Sequence, residues 1–413
     1  EAIRIRGGKA RITESRCIDC GECIRRCPNH AKTAVTDTLA DLTKYKYNIA
    51  LPAPSLYSQF APEIPIPVIL TAFKKLGFDD VCEVASGAEI VAQAIKQYLE
   101  RPDIKQPVIS SACPAVVRLI QVKFPELIEH ILPFDAPVEV AARLARRRCP
   151  ADIDPDQVGV WFITPCPAKM TAVIQPLGRT KSAVSGAIAI NKIYGPLLKV
   201  LNDYTKWQAA ELADLASWRG IGWAAAGGET ASAGIKNVLV VHEIHSVCEV
   251  LEQVALGKLS NVTYIESLAC AGGCIGGPLT VENRFVSEVR FKQRLAALKQ
   301  EAAEQDDEVE ILDDSILGEQ EPWHIAPSSA MRLDEDIFEA LSKVEIIQET
   351  LRRLPGLDCG SCGSPSCKSL AEDIAQGLAS ETDCVFKLRE RVRDLAQEMV
   401  DLAQKLPPSL ERE

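Results

Sequence analysis

Between about Tyr45 and Gln300, short β-branched or apolar runs alternate with stretches of helical periodicity. Pro107 to Ser110, Val158 to Ile163 and Val238 to Val241 read as strands, and Glu89 to Leu99 and Val138 to Arg147 read as helices. This alternation predicts an α/β domain over residues 45–300. Glu301 to Asp314 then places eight acidic residues in fourteen, a linker or solvated helix end, within a stretch read as acidic linker over 301–343. The last periodic segment is a helix from about Cys384 to Leu406, stopped by Pro407 and Pro408. Along it Val385, Leu388, Val392, Leu395, Met399, Leu402 and Leu406 step by alternating threes and fours, the seam of a coiled coil. Such a seam suits either a pair of helices or one helix lying on its own domain. No repeat of twenty to fifty residues and no low-complexity tract interrupts this order.

Charge narrows the range of partners. A net charge of −11 over 413 residues, with a pI near 5.2, argues against a phosphate-binding surface, so no nucleic-acid partner is expected. No run approaches the ~18 apolar residues that span a bilayer, and Glu1 to Arg11 is charged rather than signal-like. The expectation is a cytoplasmic protein without a membrane partner.

Fifteen cysteines in a cytoplasmic chain of this length point to metal ligation rather than to disulfides, and twelve fall into three spaced groups. Cys82, Cys149 and Cys248 remain and read as core thiols. Cys17, Cys20, Cys23 and Cys27-Pro28 form C-x2-C-x2-C-x3-C-P, the bacterial ferredoxin run for a 4Fe-4S cubane, in a small module over residues 1–44. A zinc site normally pairs its ligands across a longer spacer. In two-cluster ferredoxins the fourth cysteine binds the other cluster, and no second run exists here. Either Cys27 closes its own cluster, or Cys82, Cys149 or Cys248 supplies the fourth ligand.

In the central domain, cysteines occur in Ser110-Ser111-Ala112-Cys113-Pro114, in Thr164-Pro165-Cys166-Pro167-Ala168-Lys169, and in Glu266-Ser267-Leu268-Ala269-Cys270-Ala271-Gly272-Gly273-Cys274-Ile275-Gly276-Gly277. These segments resemble, in order, the three signatures of the FeFe hydrogenase large-subunit domain. Lys75-Leu76-Gly77-Phe78-Asp79 and Gly227-Gly228-Glu229 add to the likeness, which spans roughly Ile49 to Phe285. The resemblance implies a two-lobed α/β fold in which Cys113, Cys166, Cys270 and Cys274 hold a 4Fe-4S cluster. It also implies that Cys274 bridges to a diiron unit with carbonyl and cyanide ligands, beside a cationic Lys169. Four thiolates suit a cubane, and the glycines at 272, 273, 276 and 277 are expected to let the backbone approach a bulky inorganic group.

The departures from that family concern protons. Ala112 stands where active members carry a proton-relaying cysteine, and a methyl group exchanges no proton. Thr164, Ala172 and Pro278 replace an expected methionine, glutamate and glycine, and the acidic pair continuing the proton path falls on Val91 and Ala92. Metal binding kept and proton supply removed resembles the branch of the family described as sensory, in which hydrogen is reported to an output.

Cys359-Gly360-Ser361-Cys362-Gly363, Cys367 and Cys384 give C-G-x-C-G-x4-C-x16-C in a small helical module over 344–384, followed by the helix and tail of 385–413. The motif resembles a 4Fe-4S domain found in a membrane electron-transport complex subunit and in the corrinoid partner of carbon monoxide dehydrogenase. Three 4Fe-4S clusters plus the diiron unit are therefore expected. The implied function is slow, reversible hydrogen oxidation and proton reduction serving hydrogen or redox sensing. Its implied partners are a redox protein or a fused or associated signalling output domain, with a homodimer through the last helix. The alternatives are a non-catalytic iron-sulfur scaffold and an electron-transfer subunit, neither with the diiron unit.

Overall fold

The computed structural model describes residues 2–206, 215–302, 314–317 and 323–405. Most of the acidic stretch of 301–314, and Leu406, Pro407 and Pro408, lie outside the described residues. The chain divides into two compact units, Glu1–Cys17 with Ser328–Glu413, and Ile18–Pro327.

In the first unit, β1 (Ile3–Arg6) and β2 (Lys9–Ile12) form an antiparallel hairpin across Gly7-Gly8, both at positive φ as a two-residue hairpin turn requires. β1 lies against the cysteine loop of the C-terminal motif, where the Ile5 N–H donates to the Gly363 carbonyl at 2.7 Å. A Cβ at Gly363 would sit 2.1 Å from the Ile5 carbonyl oxygen, so only glycine permits this approach. Arg4 and Arg6 converge on the buried Asp373 carboxylate at 2.7 and 2.8 Å. Helices Ile337–Arg353, Cys367–Ala375 and Val385–Gln404 complete the unit. The first of these begins inside the stretch read as linker.

The second unit is α/β, as the alternating pattern predicts. Its strands are β3 (Tyr47–Pro52), β4 (Asp80–Val81), β5 (Val108–Ile109), β6 (Val158–Thr164), β7 (Gly186–Ala189), β8 (Val238–His242) and β9 (Tyr264–Leu268). They form two parallel sheets, in orders β4-β3-β6-β7 and β5-β9-β8. Parallel strands covered on both faces read as continuous apolar runs, and every residue of β6 is buried. Alternation along β6 sends Val158, Val160 and Phe162 into one core with helices Val84–Leu99 and Pro137–Arg147. Trp161 and Ile163 enter the opposite core, with helices Ile66–Lys75 and Ile190–Leu201. The three-stranded sheet packs on helices Pro114–Lys123 and Ile244–Ala255.

Candidate functional site

All three cysteine segments of the central domain follow the carboxyl ends of parallel strands, where ligands of open α/β sheets bind. Cys113 lies four residues beyond β5 and caps helix Pro114–Lys123, while Cys166 follows β6 and caps helix Pro167–Ile174. Proline at the first helical position starts both helices without losing a needed N–H. Thr164 braces the second segment: its hydroxyl donates to the Cys166 carbonyl and accepts the Cys166 N–H, each at 3.1 Å. Cys270 and Cys274 follow β9.

The four sulfurs lie close enough to act on one another electrostatically. Burial pushes the Cys166 thiol up to about 12, and charge on Cys113 adds to it. Burial raises Cys113 and Cys270 too, the latter helped by charge on Cys166 and opposed by the Arg25 guanidinium. Left alone, such sulfurs stay protonated, and cluster iron is what would hold them as thiolates. Among the described residues no three His, Cys, Asp or Glu side chains close on a single metal ion.

Lys169 is half-buried, with Nζ 3.5 Å from Cys274 Sγ. Burial disfavours its charge, but the sulfurs of Cys274, Cys166 and Cys113, once charged, outweigh burial and raise its pKa above the ordinary lysine value. Lys169, Cys274 and Ala112 line one small cavity whose other walls include Pro54, Ser55, Phe162 and Trp223. Two buried donors there, Ser55 Oγ and Trp223 Nε1, have no hydrogen-bond partner among the described residues. Three donors on residues lining one cavity fit a group that carries acceptor atoms, as cyanide nitrogens are. The residues present therefore match a diiron unit with such ligands.

The same cavity is lined by Glu229 and Glu266, which the sequence reading did not single out as site residues. Glu229 accepts from the Ser110 hydroxyl at 2.8 Å and from Tyr264, and Glu266 accepts from the N–H groups of Gly227 and Thr230 at 2.7 and 3.0 Å. Burial first, then the charge of Glu266, drives the Glu229 pKa upward, and burial also raises Glu266. Two coupled buried carboxyls hold a proton between them more readily than either would in water. Val91 and Ala92 are instead packed in the core beside helix Pro137–Arg147, and Ala172 is half-buried on helix Pro167–Ile174.

The glycines of the third segment act differently from the expectation. A Cβ on Gly273 would meet Ala226 N at 2.7 Å, one on Gly276 the Ala271 carbonyl oxygen at 2.2 Å, and one on Gly277 the Pro165 oxygen at 2.5 Å. These three let the loop pack on protein backbone, and only Gly272 faces open space.

Cys17 ends the first compact unit, while Cys20, Cys23 and Cys27 belong to the second. Ile18 and Cys20 pack against the core that includes Cys166 and Cys113. Cys27 is half-buried, and the Ala31 N–H, 3.4 Å from its sulfur, leads the backbone donors that lower its pKa. Of the remaining thiols Cys82 is buried, and Cys149 and Cys248 are half-buried. In the C-terminal motif Cys384 is buried, Cys362 and Cys367 pack against its small core, and Cys359 is exposed.

Residues 46–185 and 178–278 match the family described as iron only hydrogenase large subunit, C-terminal domain, more than half of the chain. The chain belongs to that family. Residues 10–33 match a 4Fe-4S binding domain and 354–386 an Fe-S cluster family, so this hydrogenase-family chain is an iron-sulfur protein. It is 25% identical over 142 residues to the periplasmic [Fe] hydrogenase large subunit of Nitratidesulfovibrio vulgaris, covering 31% of this chain and 34% of the relative. It is 49% identical over 52 residues to a component of the ion-translocating oxidoreductase complex of Rhodobacter capsulatus, 13% of this chain and 28% of the relative. The chain spans about a third of the length of the curated relatives it matches. A variant of the [FeFe]-hydrogenase HydA1 from Chlamydomonas reinhardtii shares the fold, with a TM-score of 0.51 at 14% identity, covering 70% of this chain and 98% of that one. No helix of the described residues is long and apolar enough to cross a membrane.

Proposed function

We propose that this hydrogenase-family chain interconverts hydrogen with protons and electrons slowly and reports hydrogen or redox state. In this reading it carries three 4Fe-4S clusters and, at Cys274, a diiron unit with carbonyl and cyanide ligands. The observation that carries it is the cavity shared by Cys274, Lys169, Ala112, Glu229 and Glu266. When bound, the diiron unit would supply the centre at which the H–H bond is broken or made. Cys113, Cys166, Cys270 and Cys274 hold the adjoining cubane, while Lys169, Ser55 and Trp223 present donors to polar ligands in a pocket whose apolar walls exclude water. Glu229 and Glu266 hold a proton at the cavity wall. Ala112 cannot pass one on, and losing a positioned carrier costs ~10² to 10⁴-fold in rate, which makes the chemistry slow rather than absent.

The electrons leave through the flanking clusters to a redox protein or a signalling output domain, and the last helix pairs two copies of the chain. Infrared spectroscopy of anaerobically matured protein tests the central claim, because carbonyl and cyanide absorb where no amino acid does. Such bands should appear together with roughly 14 irons per chain, against roughly 12 before maturation, counting four per cubane. Full cubane iron without those bands would support the scaffold or electron-transfer reading instead.

A further inference from the structure

A second cleft, of about 470 Å³, shares no lining residue with the diiron cavity. Its floor is backbone and small side chains, Ala225, Ala226, Ala271 and Gly272, with Ile275. The Ala226 N–H donates to the Gly272 carbonyl at 3.1 Å, so this floor includes the chain that runs between Cys270 and Cys274. One wall comes from Trp218 and Arg219, and the other from helix Arg284–Ala302.

The charge of the cleft runs against that of the chain. The protein carries a net −11, yet Arg219, Arg284, Lys292 and Lys299 line this cleft against two carboxylates, Glu243 and Glu288. Both carboxylates are engaged, Glu243 with Arg284 at 3.5 Å and Glu288 with Lys292 at 2.6 Å. Arg219 and Lys299 are left with no carboxylate partner among the described residues, and both rest on one indole, 5.2 and 4.4 Å from the centre of the Trp218 ring. Two cations without a counter-charge beside one ring in a concave site attract an anion. The rim also carries Phe285, 61% exposed, an apolar surface beside the charge.

We propose that this cleft binds a small organic anion with phosphate or carboxylate groups, held by Arg219 and Lys299, with its carbon skeleton against Phe285 and the small-residue floor. Concave shape, unpaired donors and an aromatic wall are what a small-molecule site needs. A bound anion would lie against the backbone between Cys270 and Cys274, outside the diiron cavity. Its arrival would also change the surroundings of the Trp218 ring.

The experiment uses the full chain with reconstituted clusters at low ionic strength, titrated separately with inorganic pyrophosphate and with citrate. Calorimetry and tryptophan fluorescence are read together. At least one probe should bind saturably at one site per chain, and the tighter of the two identifies phosphate or carboxylate as the preferred chemistry. Arg219→Gln and Lys299→Gln should each weaken binding ~10-fold or more, the usual consequence of losing a charge-assisted hydrogen bond, with iron content and far-ultraviolet spectrum unchanged. Trp218→Phe should abolish the fluorescence response while calorimetry still detects binding. Failure of both probes to saturate, or wild-type affinity in both charge variants, would overturn the proposal.

Discussion

Gly21 packs against Pro278. A Cβ at Gly21 would lie 2.4 Å from Pro278 Cγ and 3.2 Å from Pro167 Cγ, and Gly21 sits at φ +75°, in the left-handed region that favours glycine. The loop between Cys20 and Cys23 is thereby seated on the second and third cysteine segments of the central domain. Pro278, which the sequence shows only as a departure from an expected glycine, is part of that seat. Gly21→Ala should lift the loop. We expect a loss of ~1 to 3 kcal/mol in stability, seen in thermal unfolding, and slower electron exchange between the N-terminal and central clusters. Unchanged unfolding and unchanged exchange would show that the contact positions nothing.

The buried carboxyl pair predicts a rate effect. Glu229→Gln removes one proton-holding group from the cavity wall while keeping an acceptor for Ser110 and Tyr264. Hydrogen turnover of matured protein should fall by ~10²-fold or more at equal diiron content. Ala112→Cys should raise turnover, by less than the full ~10² to 10⁴ of a complete relay. Acids restored at Val91 or Ala92 would be unpaired in a hydrophobic core and should unfold the domain before they aid transfer. Equal rates in wild type and Glu229→Gln would remove the pair from the proton route.

Glu83 predicts a pH effect on stability. Burial raises its pKa to about 7, against hydrogen bonds from Tyr57 and the Ala216 N–H that lower it, and the charge of Glu89 raises it further. The folded state therefore holds the proton more tightly than the unfolded chain. The contribution is full below the ordinary carboxylate value of 4.5 and is lost as pH rises through about 7. The whole effect is of the order of 3 kcal/mol. Denaturant titrations at several pH values should show Glu83→Gln gaining about that much on wild type between pH 4.5 and 8. Parallel curves for the two proteins would contradict the assignment.

Asp373 predicts that the N-terminal hairpin supports the C-terminal cluster. Its carboxylate is 6% exposed and accepts from both Arg4 and Arg6, while Arg6 also donates to the Cys362 carbonyl at 3.1 Å. Asp373→Asn leaves two guanidinium groups without their counter-charge and should cost about 3 kcal/mol. The expected readout is earlier loss of the C-terminal cluster's visible absorbance on heating. Deleting residues 2–12 should have the same effect, and intact absorbance in both would refute the role.

The last helix predicts an oligomer. Helix Val385–Gln404 buries none of its residues, and Leu388, Val392, Leu395, Met399 and Leu402 are all exposed. An apolar stripe of that length is stabilised by pairing with another. Sedimentation should find a dimer at micromolar concentration, converted to monomer by Leu395→Asp with Leu402→Asp. A monomeric parent chain would end the proposal.

What the sequence determines by itself is local. Cysteine spacing, helix-starting prolines and apolar runs act over a few residues, so the three motifs, the α/β alternation and the seam of the last helix can all be read along the chain. Strand limits were legible only to within a few residues: Pro107 to Ser110 contains a strand of two, Val108–Ile109. Tertiary structure decided what depends on long-range pairing. Parallel strands bring Cys113, Cys166 and Cys274 together across more than a hundred residues, and packing alone turns Glu229 and Glu266 toward Ala112. No local pattern marks a buried carboxyl as facing a cavity rather than solvent. The glycines of the third segment were legible as a loop, but their partner proved to be backbone, because steric contact depends on which segment lies opposite. The first strand's place beside Gly363 was hidden for the same reason: edge hydrogen bonding to a distant loop leaves no periodicity in the sequence.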